Sequence, residues 1–386
     1  MTGTTGVTRT SGDRTSGAAP VTGPFISTWS AVSAFGIGRE SFSAGLRDRK
    51  PVVTALDPDQ WSAPATEACL VPGGDPRELL GRKGTRSMDR ATGLAVAAVG
   101  QLLDDGRGTR IPGVDESTAL VLGTSNGSVR SIMSFTRDAL TEDKPYHVDP
   151  ARFPNTVMNC AAGQSAIRHG LRGPNVTIAG GRASALLALN HAQRLQRSGH
   201  ARSVVCGAVE EFSAERAWLD WHAHTEQGRA PLTGEGSAVL LLESGAPRGG
   251  AALAELAAVE IGLPHAESEV TSVLADCVRR ALARAGLGAD SVWAVAPADL
   301  PGTLGTAERQ ALDEALGGRT PRGPLCTELL GDTGAVSAAF QITALLSAAE
   351  SDPESAGRAG VVTTVDREGV VGCALLRFPG PEHGRR

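Results

Sequence analysis

Apolar residues along the chain fall into two alternating registers. Helical spacing marks Ser87–Asp104 through Met88, Leu94, Ala95, Ala98, Val99, Leu102 and Leu103, with Asp89 in the first turn. Short, dense apolar runs bounded by glycine or polar residues predict buried strands at Phe25–Ala34, Thr118–Gly123, Val176–Ile178, Ser203–Ala208 and Ser237–Leu242. Between them Val129–Leu140, after the turn Ser125-Asn126-Gly127, and Ala183–Ser198 read as helices. From Ala251 the alternation starts again. Strand Leu253–Ile261 is followed by helix Val270–Ala285, strand Ser291–Ala296, helices Thr306–Leu316 and Gly334–Ser347, and strands Gly360–Thr364 and Gly369–Phe378. Strands alternating with helices predict an α/β protein with a mostly parallel sheet covered on both faces. The two runs, 24–245 and 251–378, predict two halves duplicated in topology but not residue by residue. Residues 1–23, rich in Thr, Gly, Ser and Arg without periodic apolar positions, predict a disordered tail.

Composition narrows the function classes. The 386 residues are 41% hydrophobic, enough for a large core, and the net charge is −5. Without a basic stripe, a nucleic-acid partner is not expected. No apolar run approaches the 18 or so residues of a membrane span, and no secretory leader is visible. Six cysteines (69, 160, 206, 277, 326 and 373) are scattered without a CxxC pair, so they read as free, packed thiols of a cytoplasmic protein. His222 and His224 suit one face of a strand but have no third ligand nearby, so no metal is expected. Gly180-Gly181 lacks the lysine and Ser/Thr of a phosphate loop, and no cofactor is implied.

Several segments carry a resemblance. They are Phe25–Gly36, Arg86-Ser87-Met88-Asp89-Arg90, Val121-Leu122-Gly123-Thr124-Ser125, Pro154-Asn155, Gly163–Pro174, Asn175–Glu211 and Gly234-Glu235-Gly236-Ser237-Ala238. Together they resemble a β-ketoacyl synthase, strongly in the first half and through element order in the second. The resemblance implies the thiolase fold, a five-layer αβαβα sandwich of two related halves that dimerises through the first half.

It also shows what this chain lacks. A condensing synthase needs a cysteine thiolate at a strand-to-helix elbow. Two histidines serve decarboxylation and the developing negative charge. At the elbow, Thr177–Leu186 places Arg182, a permanent cation and no acyl acceptor. Val295 stands where the first histidine is expected, in the loop after the strand at Ser291, and Asp332 where the second is. The family lysine falls at Thr327, and the C-terminal glycine-rich gate is reduced to Gly369-Val370-Val371-Gly372. Cys160, Cys206 and Cys373 read as packing residues, His169 as a hydrogen-bonding residue and Glu235 as structural.

A ketosynthase-like chain without its nucleophile resembles the chain length factor of type II polyketide synthases. The resemblance implies an active ketosynthase as partner, an acyl carrier protein served through the complex, and a polyketide acyl chain in a shared tunnel. Such factors commonly carry glutamine at the elbow; arginine there favours architecture over a decarboxylase role. The helix after the second strand would line the tunnel with Val129, Ile132, Met133 and Thr136, which share a face at i, i+3, i+4 and i+7. An ordinary core stripe would give the same spacing. Two rival functions stand beside this one: a decarboxylase or acyltransferase with rewired chemistry, and a homodimeric scaffold that binds no acyl chain. Arg182 and Asp332 occupy positions that face each other in an active synthase, which leads to the expectation of a compensating ion pair.

Overall fold

The computed structural model describes residues 23–104, 106–223, 232–319, 321, 323–367 and 369–380. All of the expected tail but Gly23 lies outside the described residues, as does His224. The main strands are β1 Phe25–Ser33, β2 Ala119–Thr124, β3 Asn175–Ala179, β4 Ser203–Glu210, β5 Gly236–Glu243, β6 Ala254–Gly262, β7 Val292–Ala296, β8 Ala359–Val365 and β9 Val371–Arg377. They form one continuous sheet in the order β3-β2-β4-β5-β1-β6-β9-β8-β7. Outward from the β1–β6 junction, each limb runs first strand, last, next to last, second. The first half ends its limb with β3. In the second half the carbonyl of Pro321 sits at the corresponding edge, accepting from the Val295 N–H at 3.2 Å.

The principal helices are α1 Arg39–Asp48, α2 Arg90–Leu103, α3 Val129–Thr141, α4 Cys160–His169, α5 Ser184–Arg197, α6 Ala214–Ala223, α7 Val270–Ala285, α8 Gly302–Leu316 and α9 Ser337–Ser351. Helices α5 and α9 lie between the two limbs and touch strands of both. Helices α2 and α4 cover the outside of the first limb, and α7 and α8 the outside of the second. This is the five-layer sandwich. Period-two alternation serves two cores at once. Ala119 and Val121 face the central helices while Leu120 and Leu122 face the outer ones. Likewise Val362 and Ala374 point inward and Val361 and Cys373 outward. Burial on both faces is why the strands read as unbroken apolar runs. Helix α9 is buried all round from Ser337 to Ser347, as befits the innermost layer.

Two expectations are corrected. The sheet is mixed, not mostly parallel: β2–β3, β2–β4 and β7–β8 are parallel. The pairs β1–β5, β1–β6, β4–β5, β6–β9 and β8–β9 are antiparallel. Helical crossovers dictate direction only between the strands they join, and most neighbours here are not joined that way; β8 and β9 are linked by a tight reversal. Trp221-His222-Ala223 is the end of α6 rather than a strand, because Ala217, Trp218 and Trp221 recur at helical spacing. The His222 ring stacks on Trp218, with centroids 5.7 Å apart.

Candidate functional site: two elbows and an ionic floor

Strand β3 ends at Ala179, and the chain reverses through Gly180 and Gly181 into one 3-10 turn, Gly181–Ala183, before α5. In the second half, Gly334–Val336 makes the same turn before α9. Gly181 and Gly334 both have φ of +52°, a left-handed conformation that a side chain rarely adopts. The two turns meet at the centre of the molecule.

Arg182 sits inside the first turn and is 8% exposed. Its guanidinium forms an ion pair with the Asp332 carboxylate. Its Nη1 donates to Ser337 Oγ at 3.0 Å, and that hydroxyl lies 2.9 Å from Thr333 Oγ1. Asp332 Oδ1 accepts from the Gly334 N–H at 2.9 Å. Burial works to raise the Asp332 carboxyl, but Arg182, the Gly334 N–H, Arg216 and Arg367 outweigh it and hold the group below its ordinary range. It is therefore a carboxylate facing a cation. The Arg182 backbone N–H donates to Asp366 Oδ2 at 2.5 Å.

A second arginine lies alongside. Arg216 Nη1 donates to the Glu211 carbonyl at 2.8 Å and lies 3.9 Å from Glu210, while its Nε is 3.6 Å from Asp220. Glu210 Oε2 accepts the N–H groups of Ser125 at 3.3 Å and Ala335 at 3.2 Å, one from each half. These groups line a cavity of about 540 Å³ to which Val129, Met158, Leu219 and Ala223 add apolar side chains. Arginine, aspartate and glutamate paired in this way can hold the two halves together, and the arginine at the elbow is no nucleophile toward an acyl group.

The structure brings Arg182 and Asp332 together and leaves Val295 out. Val295 lies inside β7, not in a loop, and packs with Val278 and Leu312 in the outer core. The gate reading is also displaced: Val371 and Gly372 already pair with Gly262 and Ile261 in the sheet. The turn at the cavity is earlier, with Asp366, Arg367 and Gly369 in it. Thr327 Oγ1 donates to the Ala298 carbonyl at 2.8 Å and does not line the cavity. Of the four tunnel candidates, Val129 is buried and reaches the cavity, Ile132 is half-buried, and Met133 and Thr136 are exposed. Their stripe thus runs from a buried end at Val129 to an exposed end at Thr136 in the single chain.

The other singled-out residues are packed or hydrogen-bonded within the chain. Burial raises the Cys160 thiol, with a Thr92 hydrogen bond opposing and Asp89 adding to the shift, while Cys69 and Cys326 are pushed up to about 12 by burial. His169 Nε2 lies 3.0 Å from the Val96 carbonyl. Glu235 accepts from Val71 N–H at 2.8 Å, Phe212 N–H at 2.9 Å and Arg90 Nε at 2.6 Å, clamping three segments. Sequence reasoning missed Glu210, Arg216, Asp366 and Arg367. A charged Glu210-Glu211 pair closing an apolar strand was the available signal for the first of them.

A two-limbed sheet folded over two central helices, with their elbows in contact, defines a thiolase-type sandwich. A family model described as "Beta-ketoacyl synthase, N-terminal domain" matches residues 25–246, and the chain belongs to the β-ketoacyl synthase family. A solved structure described as "The ishigamide ketosynthase/chain length factor" is 44% identical with a TM-score of 0.86, over 93% of this chain and 100% of that one. A "Putative polyketide beta-ketoacyl synthase 2" of Streptomyces halstedii is 30% identical over 344 residues, 82% of this chain and 81% of the relative. The "3-oxoacyl-[acyl-carrier-protein] synthase 2" of Vibrio harveyi is 29% identical over 223 residues, where the match spans 53% of each chain.

Proposed function

We propose that this chain is a catalytically inactive ketosynthase-like subunit, a chain length factor of a type II polyketide synthase. It pairs with an active ketosynthase in the cytoplasm, and the pair elongates a polyketide on an acyl carrier protein and limits its length. One observation carries the reading: the elbow at which the resemblance puts the family's nucleophilic cysteine holds an arginine paired with Asp332 and hydrogen-bonded to Ser337. A paired guanidinium neither attacks an acyl group nor stands free to bind a malonyl carboxylate, which weighs against a rewired decarboxylase or acyltransferase. The resemblance to a ketosynthase/chain length factor structure over 93% of the chain supports the assignment. So does the outer part of the α3 stripe, where Met133 and Thr136 are exposed in the single chain. Among the described residues, no helix is long and apolar enough to cross a membrane.

The test is co-expression with a genomically adjacent ketosynthase, followed by incubation with malonyl-loaded carrier protein. Polyketide should form only when both chains are present and should vanish when the partner's cysteine is replaced. Turnover of malonyl-carrier protein by this chain alone would favour the rewired enzyme. A homodimer indifferent to the ketosynthase would favour the scaffold.

A further inference from the structure

The carboxylate of Asp366 reaches the backbone of Arg182, the residue whose side chain pairs with Asp332. We infer that Asp366 is a plug fitted from the second half into the elbow of the first, and that the elbow is closed to acyl chemistry by this carboxylate independently of its missing nucleophile. Asp366 is 7% exposed and held in the reversal between β8 and β9, its N–H donating to the Val370 carbonyl at 2.8 Å and its carbonyl accepting from Gly369 at 3.1 Å. From there its Oδ2 meets the Arg182 N–H at 2.5 Å. The fit is tight. A Cβ on Gly181 would lie 2.2 Å from the same oxygen and would displace it, and the φ of +52° independently favours glycine there.

A backbone N–H at the start of a helix is where negative charge on an acyl oxygen would be stabilised. Here that donor is already taken by a side-chain oxygen of Asp366. Arg182 is therefore gripped twice from the second half, its side chain by Asp332 and its backbone by Asp366. A thiol placed at position 182 would share the cavity with both carboxylates, together with Arg216, Arg367, Glu210 and Asp220. Neighbouring anions keep a thiol protonated. Restoring cysteine alone would not restore a nucleophile, and an acyl oxygen would find its donor taken.

The test compares R182C/D332N with R182C/D332N/D366G in the full chain. Iodoacetamide labelling of residue 182 is followed by peptide mass spectrometry across pH; the thiolate sulfur forms the C–S bond, the C–I bond breaks and iodide leaves. Removing Asp366 should speed labelling at neutral pH by about tenfold and lower its midpoint by about one pH unit. Equal rates and midpoints in the two proteins would overturn the inference. A second readout avoids the cysteine variants and any folding defect in them. In protein labelled with ¹⁵N-arginine, D366G alone should move the Arg182 amide proton upfield, that resonance being identified by its loss in R182K. An unmoved resonance would equally overturn the inference. Neither result bears on whether the chain pairs with a ketosynthase, so the two readings fail separately.

Discussion

Arg182 occupies a place where cations are disfavoured. The helix macrodipole opposes a positive charge in the first turn by up to about 1 kcal/mol, and burial of an unpaired guanidinium costs several times more. Asp332 offsets both, so the pair should behave as a coupled unit. R182Q and D332N are each expected to lower the unfolding free energy by about 3–5 kcal/mol, and the double variant by clearly less than the sum. Urea denaturation of the four proteins measures this; additivity would mean that the two charges do not interact. The acid limb follows from the same pair. Asp332's carboxyl is lower in the folded chain than its ordinary value, so its contribution is fully present above that value and is lost as pH falls through the folded one. Glu211 has the opposite sign. Burial first, then the nearby Asp89, push its carboxyl from 4.5 to about 8, against hydrogen bonds from Ser128, Ala91 and Arg130. The native chain thus binds an extra proton between those values, and stability declines as pH rises through that window. E211Q should flatten the decline, as read from thermal midpoints at a series of pH values between 5 and 9. An unchanged slope would remove Glu211 from the account.

At the scale of elements, most of the alternation was legible because buried strands and amphipathic helices have distinct periods. Val270–Ala285 has the bounds its spacing predicts, and α2 starts one residue after Asp89, whose carboxylate accepts the Thr92 N–H at the helix start. Strand direction was not legible, since apolar runs do not record which neighbour a strand will choose. Nor was the gate: Gly369 and Gly372 drew the register toward glycine, while the residues at the cavity, Asp366 and Arg367, are charged and lie just before them. Arg182 and Asp332 could be placed because the family resemblance reaches the elbow at 177–186 and the segment after Leu329-Leu330-Gly331. Helix α3 carries the prediction that belongs here. Val129 reaches the cavity from inside the chain, whereas Thr136, seven residues on, is exposed. In a tunnel shared with a partner, V129W and T136W should both shorten the polyketide, the first by filling the cavity and the second only where a partner covers α3. Product mass in the reconstituted complex decides, and full-length product from both variants would end the tunnel assignment.

For the whole molecule, the two limbs of the sheet end unequally. At β7 the edge is met by the Pro321 segment, while β3 pairs with β2 and, among the described residues, with no strand on its other side. An open edge strand is a template for another chain and is usually covered. Apolar side chains exposed on the segments from α3 to α4 sharpen the point: Met133 is 51% exposed, Leu140 80%, Phe153 57% and Ile167 77%. Single exposed apolar residues are ordinary, but several on consecutive segments, of which α4 packs against β3, suit an interface. A ketosynthase of the same fold would present an equivalent edge, and the two sheets could continue through it. The expected assembly is a heterodimer burying more than about 2,000 Å² in total, as obligate pairs do. Ile167→Asp should weaken it by placing a charge on the covered face, and T177P by removing a ladder donor from β3. Size-exclusion chromatography with light scattering, at micromolar concentration with the ketosynthase present, should show one heterodimer peak for the native chain and separated species for the variants. A stable, soluble monomer of the native chain under those conditions would show that β3 and α3 are simply a tolerated surface.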